Sequence, residues 1–260
     1  MIKAVFYDID GTIVDWWSDR PSDRVIADLA ELHRRGLPQF IATGRNTAVP
    51  EEIDIIAPVL DYVDGFIGMN GQLCHMKNGP VLRRSAFEPE QARRIVALLE
   101  LWGIPYAIRS EVRVFTRYES ERIREAYRRL RLRPLPVDSS QPDYNDICMF
   151  TVFATLTAAQ IGQLPDCQLT WWNEFESELM PAECGKELGV EAVCRHLGID
   201  REQTLAFGDG ENDITMLRYA GTGVAMGNAA DEVKRAADYV TAPVSEDGVP
   251  AALRRFGPLL

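Results

Sequence analysis

Apolar and polar positions run along this chain in two rhythms. Near the N-terminus, KAVFYDI is almost continuously apolar, the pattern of a short strand buried on both faces. It gives way to SDRVIADLAELHRRG, where Val25, Leu29 and Leu32 recur at helical spacing, Ser22 stands at the N-cap position and Gly36 follows as a stop. LPQFIATG and YVDGFIGMNG read as further strands, the second closing in a turn at Asn70-Gly71. The same grammar returns late in the chain, where the short apolar runs TLAFGDG, GTGVAMGN and DYVTA are separated by the helical segments DITMLRYA and DEVKRAA. Strands alternating with helices predict right-handed crossovers and a parallel sheet, with ligands at the carboxyl ends of its strands.

The middle of the chain follows another order. A helix is predicted from about Pro89, with Ala92, Ile95, Leu99 and Trp102 on its apolar face. IPYAIRSEVRVFT alternates with period two about an Arg109-Ser110-Glu111 turn, which reads as a hairpin. A second helix carries Ile123, Tyr127 and Leu130, and after the Pro-rich PLPVDSSQPDYND come ICMFTVFAT, a short helix, and strands near QLTWW and SELMP. The predicted fold class is therefore α/β: a Rossmann-like parallel-sheet core from residues 1–81 and 185–260, with an α+β domain inserted at 82–184.

Composition narrows the function classes. With 260 residues and 46% hydrophobic content the chain has room for two genuine cores. A formal charge of -11 lacks the basic footprint of a nucleic-acid or anionic-membrane binder. No run approaches the roughly 18 apolar residues of a membrane span, and no charged N-terminal region leads into a long apolar one, so the expected location is cytoplasmic. The arginines between Arg83 and Arg133 read first as solvated helix faces with i,i+4 partners, and second as a surface attracting anions. Cys74, Cys148, Cys167, Cys184 and Cys194 contain no C-x-x-C pair, and are expected as reduced, mostly buried thiols. Trp16-Trp17 and Trp171-Trp172 are expected in packing rather than in substrate contact.

Four groups of reactive residues fall where strands of the predicted sheet end: Asp8 and Asp10, Thr43-Gly44-Arg45, Lys186, and Asp209 with Asp213. Asp8 and Asp10 lie two apart, so on a strand both carboxylates would share one side and repel. Four carboxylates in one crevice require a cation, and all-oxygen ligation suits a hard ion such as Mg²⁺, with waters and a substrate phosphate completing its shell. A threonine hydroxyl, backbone N–H groups and a lysine make a receptor for phosphate oxygens. The Gly208-x-Gly210 of GDGEND fails as a dinucleotide fingerprint, because Asp209, Glu211 and Asp213 would face the pyrophosphate. CGKE lacks the earlier glycine and the following Ser or Thr of a P-loop.

Taken together, DIDGT, IATGR, Lys186 and GDGENDITML resemble the four motifs of the haloacid dehalogenase-like (HAD) phosphatase superfamily, and within it the Cof-type sugar-phosphate phosphatases with a large α/β cap. The likeness covers essentially the whole chain, although Lys186-Glu187 stands where the family usually has Lys-Gly. The resemblance implies a nucleophile at Asp8 that forms an aspartyl-phosphate, and a general acid and base at Asp10. It implies phosphate binding by Thr43, Gly44 and Lys186, with Asn212 bonded to Asp10 or the phosphate. Mg²⁺ would be held by Asp8, Asp209 and the Asp10 backbone carbonyl, with Asp213 acting directly or through water. Next to Asp8, Asp10 is expected to hold a proton more readily than usual. The implied partner is a small phosphorylated metabolite. A phosphomutase using the same intermediate, and a non-catalytic metabolite-binding protein of the same fold, are the alternatives.

Overall fold

The structure, a computed structural model, describes residues 1–129, 133–171 and 176–257. Its strands, in chain order, are β1 (Ala4–Tyr7), β2 (Gln39–Ala42), β3 (Gly65–Gly68), β4 (Leu73–Met76), β5 (Val81–Arg84), β6 (Tyr106–Ser110), β7 (Val114–Phe115), β8 (Ile147–Val152), β9 (Cys167–Trp171), β10 (Ser177–Pro181), β11 (Thr204–Gly208), β12 (Thr222–Ala225) and β13 (Tyr239–Val240). The chain divides into two compact units, Met1–Arg84 with the segment from Gly185 onward, and Ser85–Cys184.

The first unit is built on one sheet in the order β13-β12-β11-β1-β2-β3-β4-β5. From β13 to β3 every pairing is parallel. The sheet then turns antiparallel through β4 and β5, two strands that the periodicity did not single out. Both are short and follow a tight turn, and β5 is only half-buried, so neither carries an apolar run that stands out.

Two cores lie on opposite faces of this sheet, and the central strands feed both because successive side chains point to opposite sides. Val5, Tyr7, Ile41, Leu205 and Phe207 enter one core with Val25, Leu29 and Leu32 of the helix Asp23–Arg34. Ala4, Phe6, Phe40, Ala42 and Ala206 enter the other, with Val190 and Val193 of the helix Lys186–Leu197 and Met216 and Leu217 of the helix Ile214–Tyr219. Across strands, Phe6 stacks on Phe40 at 5.3 Å on one face and Tyr7 on Phe207 at 5.4 Å on the other. Gln39, fully buried, donates to the carbonyls of Leu29 and Tyr62 and accepts from the Tyr7 hydroxyl, so its burial leaves no polar atom unpaired. The helix Asp23–Arg34 starts where the sequence places it, with the Val25 N–H donating to Ser22 Oγ at 3.2 Å.

The second unit is an antiparallel sheet in the order β7-β6-β8-β10-β9. Ala92, Ile95 and Leu99 of the helix Pro89–Leu101 cover Tyr106, Ile108, Phe150 and Val152, while Ile123, Ala126 and Tyr127 of the helix Glu121–Arg129 meet Ala107 and Phe153. The hairpin turn falls later than the alternation places it. Arg109 pairs with Val114 and Ser110 N–H donates to the Arg113 carbonyl, so Arg109 and Ser110 stay in the strand and Glu111–Arg113 makes the turn. The arginines of this unit lie largely in ion pairs on solvated faces: Arg124 with Glu121 and Glu119, Arg128 and Arg129 with Glu125, Arg113 with Asp138. Leu130, Arg131 and Trp172 lie outside the described residues. Trp16 and Trp17 are not packed inside; they are 49% and 83% exposed. Four of the five cysteines are buried and Cys167 is half-buried. Among the described residues, no helix is long and apolar enough to cross a membrane.

Candidate active site

The loops after β1, β2 and β11 emerge at the same edge of the sheet, because these three strands run parallel side by side. Asp8 extends the β1 ladder, its N–H donating to the Phe207 carbonyl at 3.0 Å. The strand then stops. The Ile9 carbonyl accepts from the N–H groups of Thr12, Ile13 and Val14, and Gly11 N–H donates to Val14, which folds Asp10–Val14 into a tight turn. This changes the relation expected between the two aspartates, since the period-two rule holds only within a strand. Asp8 and Asp10 each find a separate cation. Lys186 Nζ donates to Asp8 Oδ1 at 2.7 Å, whereas the Arg45 guanidinium grips Asp10 with Nε to Oδ2 at 2.8 Å and Nη2 to Oδ1 at 2.7 Å. Arg45, carried only as a neighbour of Thr43 and Gly44 in the sequence reading, is therefore part of the site.

Lys186 opens its helix and is fully buried, an unusual place for an ammonium, and is explained by its partners. Besides Asp8 it donates to Asp213 Oδ1 at 2.6 Å. Burial disfavours the charged amine, but Asp213 and Asp8 outweigh it and hold the pKa above its ordinary value. Asp213, itself fully buried, accepts on Oδ2 from the backbone N–H groups of Asp209 at 3.0 Å and Gly210 at 2.9 Å. Its carboxylate thus ties Lys186 to the loop that carries Asp209. Gly11 makes room for that loop. It has φ +80°, and a Cβ there would lie 2.1 Å from Asp209 Oδ2. Thr12 Oγ1 faces Asp209 Oδ1 at 3.4 Å.

Asp8, Asp209 and Asp213 each offer a carboxylate oxygen, and these three atoms lie within 4.8 Å of one another. One lysine cannot balance three carboxylates. The surplus is visible in the acidities. Burial, followed by Asp213, pushes the Asp8 carboxyl well above its usual range against the opposing effect of Lys186. The Asp209 carboxyl is pushed up to about 7, first by burial and then by Asp213. Oxygen-only donors with unbalanced negative charge fit a hard divalent cation. Asp213 already receives three N–H bonds, so it fits the cluster chiefly as the brace for Lys186 and Asp209.

On the neighbouring loop, Thr43 is buried and its Oγ1 accepts the Arg45 N–H at 3.1 Å. Gly44 lies against two carboxamides: a Cβ on it would be 3.4 Å from Asn70 Oδ1 and 3.8 Å from Asn212 Nδ2. Asn212 donates to Asn70 Oδ1 at 2.9 Å rather than to Asp10, which is held by Arg45. Of the two partners expected for Asn212, Asp10 or the phosphate, Asp10 is not the one its Nδ2 meets here, and its place beside Gly44 is compatible with the phosphate. Asn70 sits in the left-handed region, with φ 54° and ψ 39°, a conformation that asparagine tolerates better than most residues. The Asn70-Gly71 dipeptide signalled the turn, but nothing in the sequence aims its side chain at Gly44.

A model of the haloacid dehalogenase-like hydrolases matches residues 5–253. YkrA of Bacillus subtilis is 32% identical over 260 residues, covering 98% of both chains, and the phosphoglycolate phosphatase of Methanopyrus kandleri is 30% identical over 266 residues, covering 98% of this chain and 97% of its own. Among solved structures, the HAD subclass IIB sugar phosphatase BT4131 superposes with a TM-score of 0.86 at 33% identity, covering 99% of this chain and 100% of that one. The chain belongs to the haloacid dehalogenase-like hydrolases.

Proposed function

We propose that this hydrolase is a phosphatase that cleaves small phosphate monoesters, sugar phosphates above all, through an aspartyl-phosphate on Asp8. The observation that carries the reading is the buried Lys186 bridging Asp8 and Asp213 inside a cluster of three carboxylates. Such an arrangement is costly to bury and suits one task, receiving a dianionic group together with a cation. Relatives named as phosphatases, among them a sugar phosphatase of similar fold, support the substrate class.

Mg²⁺, held by Asp8, Asp209 and the Asp10 carbonyl with Asp213 behind them, would supply charge neutralisation at the phosphoryl group. Asp8 attacks phosphorus with a carboxylate oxygen, forming the acyl-phosphate bond as the ester oxygen–phosphorus bond breaks. Lys186 holds the other Asp8 oxygen and faces the incoming charge. Asp10 gives its proton to the departing alkoxide, then takes one from the water that attacks the acyl-phosphate and frees inorganic phosphate. Because Arg45 engages both Asp10 oxygens, this transfer requires the carboxylate to turn partly away from the guanidinium. The backbone around Thr43 and Gly44 receives the phosphoryl oxygens, with Asn212 and Asn70 fixing the loop from the side. The unit Ser85–Cys184 serves as the cap that selects the leaving group. Phosphate monoesters are among the slowest uncatalysed hydrolyses, with enzymatic accelerations up to ~10²¹, which justifies a covalent route with fixed charges.

The test is phosphate release from a panel of sugar phosphates and other small monoesters in the presence of Mg²⁺, for wild type and Asp8→Asn. Turnover is expected for wild type and its loss in the variant. No release from any ester, or equal turnover in Asp8→Asn, overturns the proposal.

A further inference from the structure

Asn228 lies just beyond β12, which pairs in parallel with β11, with Gly208 opposite Ala225, so its loop leaves the sheet beside the loop of Asp209. On the far side of β11 lies β1, followed by Gly11. The Asn228 side chain links all three loops. Its Nδ2 donates to the Gly11 carbonyl at 2.9 Å and to Asp209 Oδ2 at 2.9 Å, while its Oδ1 accepts the Val244 N–H at 2.8 Å. These partners admit a single orientation of the carboxamide. The Val244 N–H must face Oδ1, and the Gly11 carbonyl, which can only accept, must face Nδ2 together with Asp209 Oδ2. The side chain is exposed, yet three hydrogen bonds hold it in one pose. Aspartate at this position would present an oxygen to Gly11 and Asp209 with no donor between them.

We propose that Asn228 is a positioning residue for the cation site, orienting the Asp209 carboxylate through Oδ2. The inference rests on the divalent-cation reading given above. Asp209 is confined from three directions: Thr12 Oγ1 meets Oδ1 at 3.4 Å, Asn228 meets Oδ2, and the bare Gly11 Cα stands behind. A carboxylate so held offers its remaining lone pairs in a set direction, and cation binding no longer has to order it. Donors of this outer kind are worth about 10–100-fold in metal affinity or activity. Asn228 acts through Asp209 and touches neither substrate nor cation in this scheme.

The experiment measures Mn²⁺ binding directly, from the electron paramagnetic resonance signal of free Mn²⁺, together with Mg²⁺ activation and thermal denaturation. In Asn228→Ala the Mn²⁺ Kd and the Mg²⁺ concentration for half-maximal activity should both rise about 10–100-fold, while kcat at saturating Mg²⁺ changes far less. Asn228→Ser, a milder truncation, carries the same comparison if the alanine variant folds poorly. Asp247→Ala is the structural control, since it removes the Ser22 and Arg24 bonds to the same C-terminal stretch without touching Asp209. It should lower Tm and leave Mn²⁺ affinity unchanged. An Asn228 variant that loses Tm but binds Mn²⁺ as wild type does overturns the inference alone. Wild-type protein that binds no Mn²⁺ overturns the cation reading, and this inference with it.

Discussion

At Gly11 an absent Cβ decides where the Asp209 carboxylate can lie. The residue needs φ +80° to fold Asp10–Val14 back on itself, and its bare Cα leaves the volume that Asp209 occupies. An alanine meets both obstacles at once, a left-handed backbone and a contact of 2.1 Å with Oδ2. Holding a non-glycine residue in such a conformation costs about 1–3 kcal/mol, and the displaced carboxylate no longer meets Thr12. Gly11→Ala is therefore expected to bind Mn²⁺ at least tenfold more weakly, in the range of a lost orienting partner, about 10–100-fold. Its far-UV circular dichroism should be that of wild type. Isothermal titration with Mn²⁺ checks this, and unchanged affinity would show that Asp209 has another position open to it. Gly11 directly after Asp10 is a residue type that suits such a sharp turn. The partner that fills the missing side chain's place was not readable, because Asp209 lies some two hundred residues away.

At the scale of elements, β1 was the most legible piece of the chain, since a strand buried on both faces shows as an unbroken apolar run. Its alternate residues split between two cores, and Phe6 stacks fully buried against Phe40. Phe6→Ala should destabilise the first unit by about 3–5 kcal/mol. By contrast Ser22→Ala, which removes an N-cap bond and the Ser22–Asp247 contact, should cost about 1 kcal/mol. Urea denaturation of the two variants measures the ratio, and equal losses would mean that the Phe6 site collapses to fill its cavity. The helix Asp23–Arg34 was equally legible, since its periodicity, cap and stop agree. β4 and β5 were not, because four-residue strands at an antiparallel edge carry too little pattern to be told from turns. The hairpin turn was displaced for a related reason: alternation identifies the strands, whereas cross-strand hydrogen bonds set where they part.

For the molecule as a whole, the surplus charge of the site makes a prediction about pH. In the absence of cation the Asp209 carboxyl titrates near 7 in the folded protein, against an ordinary value of 3.8. Between those values the native state holds a proton that the unfolded chain has released, so this group lowers folding stability as pH rises from about 4 to about 7, and its penalty is constant above. With EDTA present, Tm should fall across that window more steeply in wild type than in Asp209→Asn. Under the proposed cation reading Mg²⁺ would take the place of the proton, so it should raise Tm above pH 7 and be released as the pH drops. Parallel Tm profiles for wild type and Asp209→Asn in EDTA would show that the carboxyl is not perturbed.

The sequence by itself determined the alternation of strands and helices that makes a two-faced parallel sheet, the four groups of polar residues at strand ends, and the resemblance that joins them into one family. Those features are local: a period, a cap, a motif of a few residues. Only the tertiary structure decided the pairings: Asp8 with Lys186 and Asp10 with Arg45, Asp213 as a brace, Asn212 on Asn70, and Asn228 across three loops. A carboxylate's partner is the cation that the fold brings within about 3 Å, the range of a charge-assisted hydrogen bond. Sequence distance carries no information about which of 28 lysines and arginines that will be. The two aspartates of DIDGT look like one repelling pair in the sequence because strand spacing is all that a sequence offers. In the folded chain the strand ends between them and each is answered by its own cation, Asp8 by Lys186 at the start of a helix and Asp10 by Arg45 in the loop after β2.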